Sequence, residues 1–328
     1  MKKIVGIALC VSLLAGLLLA AVYLNRQAEN EQIENAGVSQ NAPEKIQFLT
    51  YQGEEYPLKK HIQTVLLLGT DTEGNELQVP EGFTAFYNFS QADFIMLLVL
   101  DNDAQTAEIL QINRDTMTDV PWLDVIGQYG GTNVEQLCLA FNSGSGGADS
   151  CQNTVNAVSS LLFDAPIQSF IQIPLAAIPV INDLVGGVTV TVTDDLSKMD
   201  PELVPGATVH LMGKQAERFV RSRLGLEDDT NLARMRRQRV YLDGFQAAVR
   251  DAINSDPQFL LKVVDKLSGY MTTNLTGQQL SDLLERMDTY EIAPIRVPEG
   301  ELLTGEEYYE FYVDEASLWE DVKAVFCQ

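Results

Sequence analysis

The chain has 328 residues, 46% hydrophobic and 21% charged, and a formal net charge of −24 from 46 acids against 22 bases. That length supports a full hydrophobic core in one large domain or two small ones. The acidic excess argues against general DNA or RNA binding, which rests on Lys and Arg neutralising phosphates. The apolar content argues against an acidic disordered chain. The two histidines, His61 and His210, stand in no metal-ligand spacing, so a His-based zinc site is not expected.

Lys2 and Lys3 precede an uncharged run of 21 residues, Ile4 to Leu24, followed by Asn25 and Arg26. About 20 apolar residues cross a bilayer as a helix, and the early lysines favour an N-terminus inside the cell. A cleaved signal peptide is the rival reading, but its apolar core would be unusually long and Ala20-Ala21-Val22 is a poor cleavage site. The expectation is a cytoplasmic tip and uncleaved signal anchor over residues 1–26, a polar stalk over 27–60, and a single-pass cell-membrane protein with its remaining chain outside.

Further along, Thr64 to Leu68 is a short apolar run ending in Gly69, the pattern of a buried strand. Asp93 to Leu100 and Thr106 to Ile112 flank a polar turn and predict a hairpin. Cys138 and Cys151 flank a Gly/Ser-rich loop. In an exported chain such a pair reads as a disulfide worth about 3 kcal/mol, with two buried free thiols as the alternative. Cys327 is left over and takes no role. Residues 151–163 space Val155, Val158, Leu161 and Leu162 as one helix face. Pro174 opens a helix reaching Ile181. Gly186-Gly187 turns the chain into Val188 to Val192, whose alternation with threonine predicts a strand with one wet face. Helices are expected over 213–223 and 231–253, near 257–268 and 277–287, and from 314. Strands are expected near 291–297 and 309–313. Strands interleaved with helices make the class α/β. Residues 61–250 read as the principal domain and 251–328 as an α/β extension docked on it.

Positive charge is concentrated in one place. From His61 to Gly213 the Lys and Arg residues are Arg114 and Lys198 alone, whereas Lys214 to Arg239 carries eight bases, seven of them arginine, against four acids. The planar guanidinium suits bidentate recognition of phosphate. A solvated helix face is the plainer reading and is preferred for Arg236 and Arg239. For Arg221 with Arg223, and Arg234 with Arg237, pairing on two consecutive helices favours a shared anion site. Arg114, at a strand end in Asn113-Arg114-Asp115-Thr116, is either a ligand group or an arginine held by Asp115. Asp71 and Asp93 also stand at strand ends. They are turn formers, or else a pair that bridges Mg2+ to phosphates.

Gly69-Thr70-Asp71, Ala92-Asp93, Asn113-Arg114-Asp115-Thr116, Val185-Gly186-Gly187-Val188, Arg221-Ser222-Arg223 and Arg234-x-x-Arg237-Gln238 follow one another in an order and spacing that resembles the LytR-CpsA-Psr family over roughly residues 61–250. The resemblance implies a central mixed β-sheet flanked by helices on both faces, with a hydrophobic lipid groove. It implies a membrane-anchored phosphotransferase that moves a glycopolymer from a polyprenyl-pyrophosphate carrier to peptidoglycan. Asp71 and Asp93 match the acids that hold Mg2+, Arg114, Arg221, Arg223, Arg234 and Arg237 match the arginines around the two phosphates, and Gln238 matches the glutamine beside them. Asp93 and Asp115 are both candidates for the general base. Thr72-Glu73 and Gln91-Ala92 stand where many members carry arginine. A non-catalytic envelope protein that binds polyprenyl-phosphate lipids or polymers is the second function class. Members are often labelled transcriptional regulators; the anchor and the charge argue against direct DNA contact.

Overall fold

A computed structural model describes residues 47–328, apart from 72–86, 125–127, 224–225, 257–258, 268 and 306–307. The expected signal anchor and the stalk up to residue 46 lie outside the described residues. Among those described, no helix is long and apolar enough to cross a membrane.

Strands β1 (Phe48–Tyr51) and β2 (Glu54–Pro57) form a hairpin around Gln52-Gly53, both at positive φ, the backbone a two-residue hairpin turn requires. Residues 47–60 are therefore not stalk. Leu49 and Leu58 are buried in the main core. Tyr51 stacks on Trp319 with ring centroids 4.6 Å apart, and Tyr56 meets the same ring edge-on at 4.8 Å.

Next come β3 (Ile62–Thr70), β4 (Ala92–Asp101) and β5 (Thr106–Ile112), successive antiparallel neighbours. The expected β4–β5 hairpin forms, with Asp101 opposite Thr106. Strands β6 (Met117–Leu123) and β7 (Tyr129–Gln136) make a separate two-stranded ribbon. A 3-10 turn over Leu137–Asn142 leads to helix α1 (Ala148–Leu161). Strand β8 (Ser169–Pro174) returns parallel to β3. Pro174 closes this strand instead of opening a helix; α2 (Ile178–Leu184) starts after one 3-10 turn, with Pro179 in its first turn.

A ribbon of β9 (Val188–Thr191) and β10 (Thr208–Leu211) alternates buried valines with exposed threonines along β9. Then follow α3 (Lys214–Arg221), α4 (Asn231–Ser255), α5 (Phe259–Leu267), β11 (Thr272–Thr273), α6 (Gly277–Thr289), β12 (Glu291–Ile292), the hairpin β13 (Gly300–Thr304) with β14 (Tyr309–Val313), and α7 (Glu315–Phe326).

The six-stranded sheet runs β11-β8-β3-β4-β5-β12, with β8–β3 and β5–β12 parallel and the other pairs antiparallel. The segment after residue 251 is integral to this sheet, since it supplies both edge strands. The central strands are apolar along their length because both faces are covered. Ile95, Leu97 and Val99 of β4 pack with α1 and α7, and Met96, Leu98 and Leu100 pack with α6. The expected mixed sheet with helices on both faces is therefore present. A second core around Phe219, Tyr241 and Phe245 unites α2, α3, α4, α5 and the β9–β10 ribbon.

Cys138 and Cys151 are free and buried, which corrects the expected disulfide. Cys151 packs into the main core, while the Cys138 sulfur accepts a hydrogen bond from Arg114 Nη2. Each thiol is already engaged by its own surroundings.

Replacing Trp319 with Ala should cost about 3–5 kcal/mol of unfolding free energy, as for a large buried aromatic ring, measured by denaturant titration. A loss below about 1 kcal/mol, the size of an ordinary substitution, would show that the β1–β2 hairpin is not part of the cooperative unit.

Candidate active site

The alternating direction of β3, β4 and β5 brings the end of β3, the start of β4 and the end of β5 to one edge of the sheet. Gly69 lies opposite Phe94 and Thr70 opposite Ala92, so Asp93 is the extra residue of a β-bulge. A bulge re-aims a side chain. Without it the two-residue period would turn Asp93 toward the face of Ile95 and Leu97. Glycine is required at the bulge, since a Cβ on Gly69 would sit 2.9 Å from that of Phe94.

Asp93 is the hub. Its Oδ1 pairs with Arg114 Nη1 and, at 3.2 Å, with Arg234 Nη1. Burial alone would raise the Asp93 carboxyl, but Arg234 and Arg114 outweigh it and hold the group below the usual carboxylate range. Arg114, 7% exposed, also donates Nε to Asp115 Oδ1 at 3.1 Å and Nη2 to Gln91 Oε1 at 2.6 Å. Arg114 is thus held by Asp115, the plainer of its two readings, and is also joined to Asp93. Asp115 is fully buried. It accepts Gln136 Nε2 at 3.1 Å and pairs with Arg223 Nη1 at 3.4 Å.

Asp71 lies beside this group, its Oδ1 accepting the Gln91 amide at 2.6 Å. Burial pushes its carboxyl upward; the Gln91 hydrogen bond opposes this, and the nearby Asp93 charge adds to it. Asp71 and Asp93 are thus neighbours, as the sequence suggested. Among the described residues no group of three His, Cys, Asp or Glu side chains forms a metal cage.

The remaining arginines divide. Arg223 joins the cluster because α3 stops at Arg221 and Ser222 is extended, at φ −57° and ψ 134°. The expectation that Arg221 and Arg223 share a helix is thereby corrected. Arg221 stays on α3, half exposed, paired with Glu217 at 3.3 Å. Arg237, grouped by sequence with Arg234, is 0% exposed and serves a different junction. It bonds Asp194 Oδ2 at 2.7 Å, the Phe219 carbonyl at 3.3 Å and the Ser222 carbonyl, capping the C-terminus of α3 where a cation is favoured. Arg236 is exposed and pairs with Asp228 at 2.8 Å, the solvated role expected of it. Arg239, assigned the same role, is instead half buried on Gln111.

Gln238 faces the sheet, its Oε1 accepting Gln111 Nε2 at 3.4 Å. It borders an apolar pocket between the sheet and α2, α3 and α4, about 1150 Å3 with the open solvent at its mouth included. Gly69, Phe94, Met96, Ile171, Ile181 and Phe245 are among its walls. Phe94 follows Asp93 and Gly69 lies two residues before Asp71, so this wall of the pocket runs into the charged cluster.

Sequence reading missed the amides that hold this cluster. Asn113 Oδ1 accepts both the Asp115 amide at 3.0 Å and Asn231 Nδ2 at 2.6 Å, and Asn231 Oδ1 accepts Arg234 Nε at 2.9 Å. Gln136 bridges Asp115 to the Tyr309 carbonyl at 2.8 Å, and Tyr309 Oη donates to Asp229 at 2.7 Å. Only Asn113 carried a signal, by adjacency to Arg114.

The LytR_cpsA_psr family model matches residues 20–323. A polyisoprenyl-teichoic acid–peptidoglycan teichoic acid transferase TagU of Bacillus cereus is 27% identical over 259 residues, 77% of this chain and 74% of that protein. The TagU of Bacillus licheniformis is 25% identical over 265 residues, 78% and 74% of the two. Among solved structures, Bacillus subtilis TagV superposes with a TM-score of 0.58 at 22% identity over 81% of this chain and 96% of its own. Bacillus subtilis TagT gives 0.57 at 22% identity over 81% and 90%. At that identity the structures establish the shared fold.

Two outcomes follow from the geometry. A carboxyl whose pKa is raised on folding destabilises the protein once pH exceeds the unfolded value. Asp71→Asn should therefore raise the Tm at pH 7, and the gain should shrink as pH falls through the carboxylate range; an unchanged or lower Tm at pH 7 would contradict the assignment. Arg237→Ala, which strands Asp194 and two carbonyls, should cost about 3–5 kcal/mol of stability. Arg236→Ala should cost at most about 1 kcal/mol, as for an exposed ion pair. Denaturant titration of both variants separates the roles.

Proposed function

Because the chain belongs to the LytR_cpsA_psr family, we propose that it is a membrane-anchored, extracytoplasmic phosphotransferase moving a glycopolymer from a polyprenyl-pyrophosphate carrier to a peptidoglycan hydroxyl. The observation that carries this reading is the junction of an apolar pocket with a buried arginine–carboxylate cluster. A lipid-linked pyrophosphate combines the same two parts, a long apolar chain and a compact polyanion. The names of the relatives as polyisoprenyl-teichoic acid–peptidoglycan transferases support donor and acceptor of this class.

Arg114, Arg223 and Arg234 bind the pyrophosphate and stabilise the charge that grows on the leaving phosphate. Arg221, half exposed at the end of α3, serves the outer, polymer side. Gln238 lines the route from phosphate to lipid, and Arg237 acts as a support of α3 and α4. Asp71 and Asp93 are the pair that would hold Mg2+. Two neighbouring carboxylates suit an ion that keeps several waters and takes its other ligands from phosphate. When bound, Mg2+ supplies neutralisation of phosphate charge. Of the two candidate bases, Asp115 is fully buried under Arg114, Arg223 and Gln136. Asp93, at the edge of the sheet, is the group that accepts the acceptor hydroxyl's proton. The cluster holds it ionised, the form a base requires.

Purified ectodomain, given a lipid-linked glycopolymer donor and peptidoglycan oligosaccharides, should release polyprenyl phosphate in a Mg2+-dependent manner. Arg114→Ala should slow release at least about tenfold, since a charge-assisted hydrogen bond is worth about 1.5–3 kcal/mol. Donor binding without release, with every acceptor and with Mg2+ present, would leave a polymer-binding envelope protein instead.

A further inference from the structure

The charged cluster has two halves. Asp93 with Arg234 makes one, and Asp115 with Arg223 the other. Arg114 is a charged bridge between them, reaching Asp93 with Nη1 and Asp115 with Nε. A second bridge is neutral. Asn113 Oδ1 accepts the Asp115 amide at 3.0 Å and Asn231 Nδ2 at 2.6 Å, and Asn231 Oδ1 accepts Arg234 Nε at 2.9 Å. Two buried amides thereby tie Asp115, beyond the end of β5, to the first turn of α4. A turn former needs only the first of these bonds, from its side-chain oxygen to the amide two residues on. Asn113 makes the second as well, and its Nδ2 is left buried with no hydrogen-bond partner among the described residues. Such a donor is uncommon and calls for an explanation.

The two bridges respond differently to a ligand. An anionic substrate competes with Asp93 and Asp115 for the guanidinium groups, so it weakens the very contacts that order Arg114, Arg223 and Arg234 in the free protein. A bond between two amides carries no net charge and has nothing to exchange with an anion. It keeps Arg234 at a fixed distance from Asp115 through Nε. The Nη groups of Arg234, on Asp93 Oδ1 at 3.2 Å and the Asp93 carbonyl at 3.3 Å, then change partners from a fixed base. We propose that Asn113 and Asn231 are positioning residues that hold the two halves of the cluster in register while its arginines exchange carboxylates for substrate. This rests on the function proposed above. Neither amide touches the reacting atoms: Asn231 acts through Arg234, and Asn113 through Asn231 and Asp115.

The test is steady-state release of polyprenyl phosphate by the full-length protein, given Mg2+, a polyprenyl-pyrophosphate-linked teichoic acid precursor and peptidoglycan oligosaccharides. Asn231→Ala should lower kcat about tenfold, because misplacing a group held for the reaction costs rate. The KM for the lipid-linked donor should stay within about threefold, the split expected when the loss is felt in the transition state. In an Arg234→Ala background the same substitution should lower kcat by less than about twofold more, since it acts through Arg234. Asn113→Ala combined with Asn231→Ala should lose little more than the worse single variant, as for two members of one unit. Asn231→Leu, close to asparagine in shape, replaces the Ala variant if that one fails to fold and is read the same way. An unchanged kcat in Asn231→Ala would overturn the proposal. So would equal losses with and without Arg234, the result of an amide that only supports the fold. Failure of the wild-type protein to release any polyprenyl phosphate would instead overturn the phosphotransferase reading itself, and this proposal with it.

Discussion

Burying arginine and carboxylate side chains at the edge of a sheet is the constraint on which the site depends. Charges removed from water destabilise unless they are paired and their remaining hydrogen-bonding groups are satisfied. Asp93 meets Arg114 and Arg234, and Asp115 meets Arg114 and Arg223. Each contact joins a different part of the chain: β4, the β5 end, the residue beyond α3, and α4. The Asn113–Asn231 pair and Gln136 then hold the carboxylates and arginines in one arrangement. Under the proposed function such a fixed arrangement is the condition in which charges stabilise a transition state most effectively.

Helix α4 distributes its basic residues by angle. Successive residues step about 100° around the axis, so Arg234, Arg236, Arg237 and Arg239 meet four environments. Arg234 reaches the bulged Asp93, Arg236 the exposed Asp228, Arg237 the end of α3 with Asp194, and Arg239 the buried Gln111. The same helix therefore supplies a partner for the buried Asp93, a surface charge, an internal brace and a cation on the pocket wall. Charge density along the sequence identified the helix, and helical spacing the surface role of Arg236, but neither separated Arg237 from Arg234 nor showed Arg239 to be half buried.

Two other departures share a physical origin. The two cysteines looked like a bridge because little sequence separates them, yet Cys151 is drawn into the main core and Cys138 against Arg114. Burial pushes the Cys138 thiol up to about 12, so it stays neutral where a thiolate would compete with Asp93 for the arginine. The segment before residue 61 looked like stalk because it is polar, but a few apolar residues suffice to dock a hairpin when a tryptophan lies ready to receive them.

The central strands, the β4–β5 hairpin, the short α3 and long α4 that carry most of the arginines, and the ordered motifs that identify the family are legible in the residues alone. These are local patterns, set by burial on both faces of a strand or one face of a helix, and they survive whatever the rest of the chain does. The sequence also marked Asp71, Asp93 and Arg114, since polar residues at the ends of apolar strands stand out. Long-range packing was needed to show that Asp93 sits on a bulge, that Arg223 leaves its helix while Arg221 stays, that Arg237 braces the fold, and that Arg239 lines the pocket. Those outcomes depend on strand register, on where a helix stops, and on which partner lies within a few ångströms, and all three are fixed by packing between segments far apart in the chain.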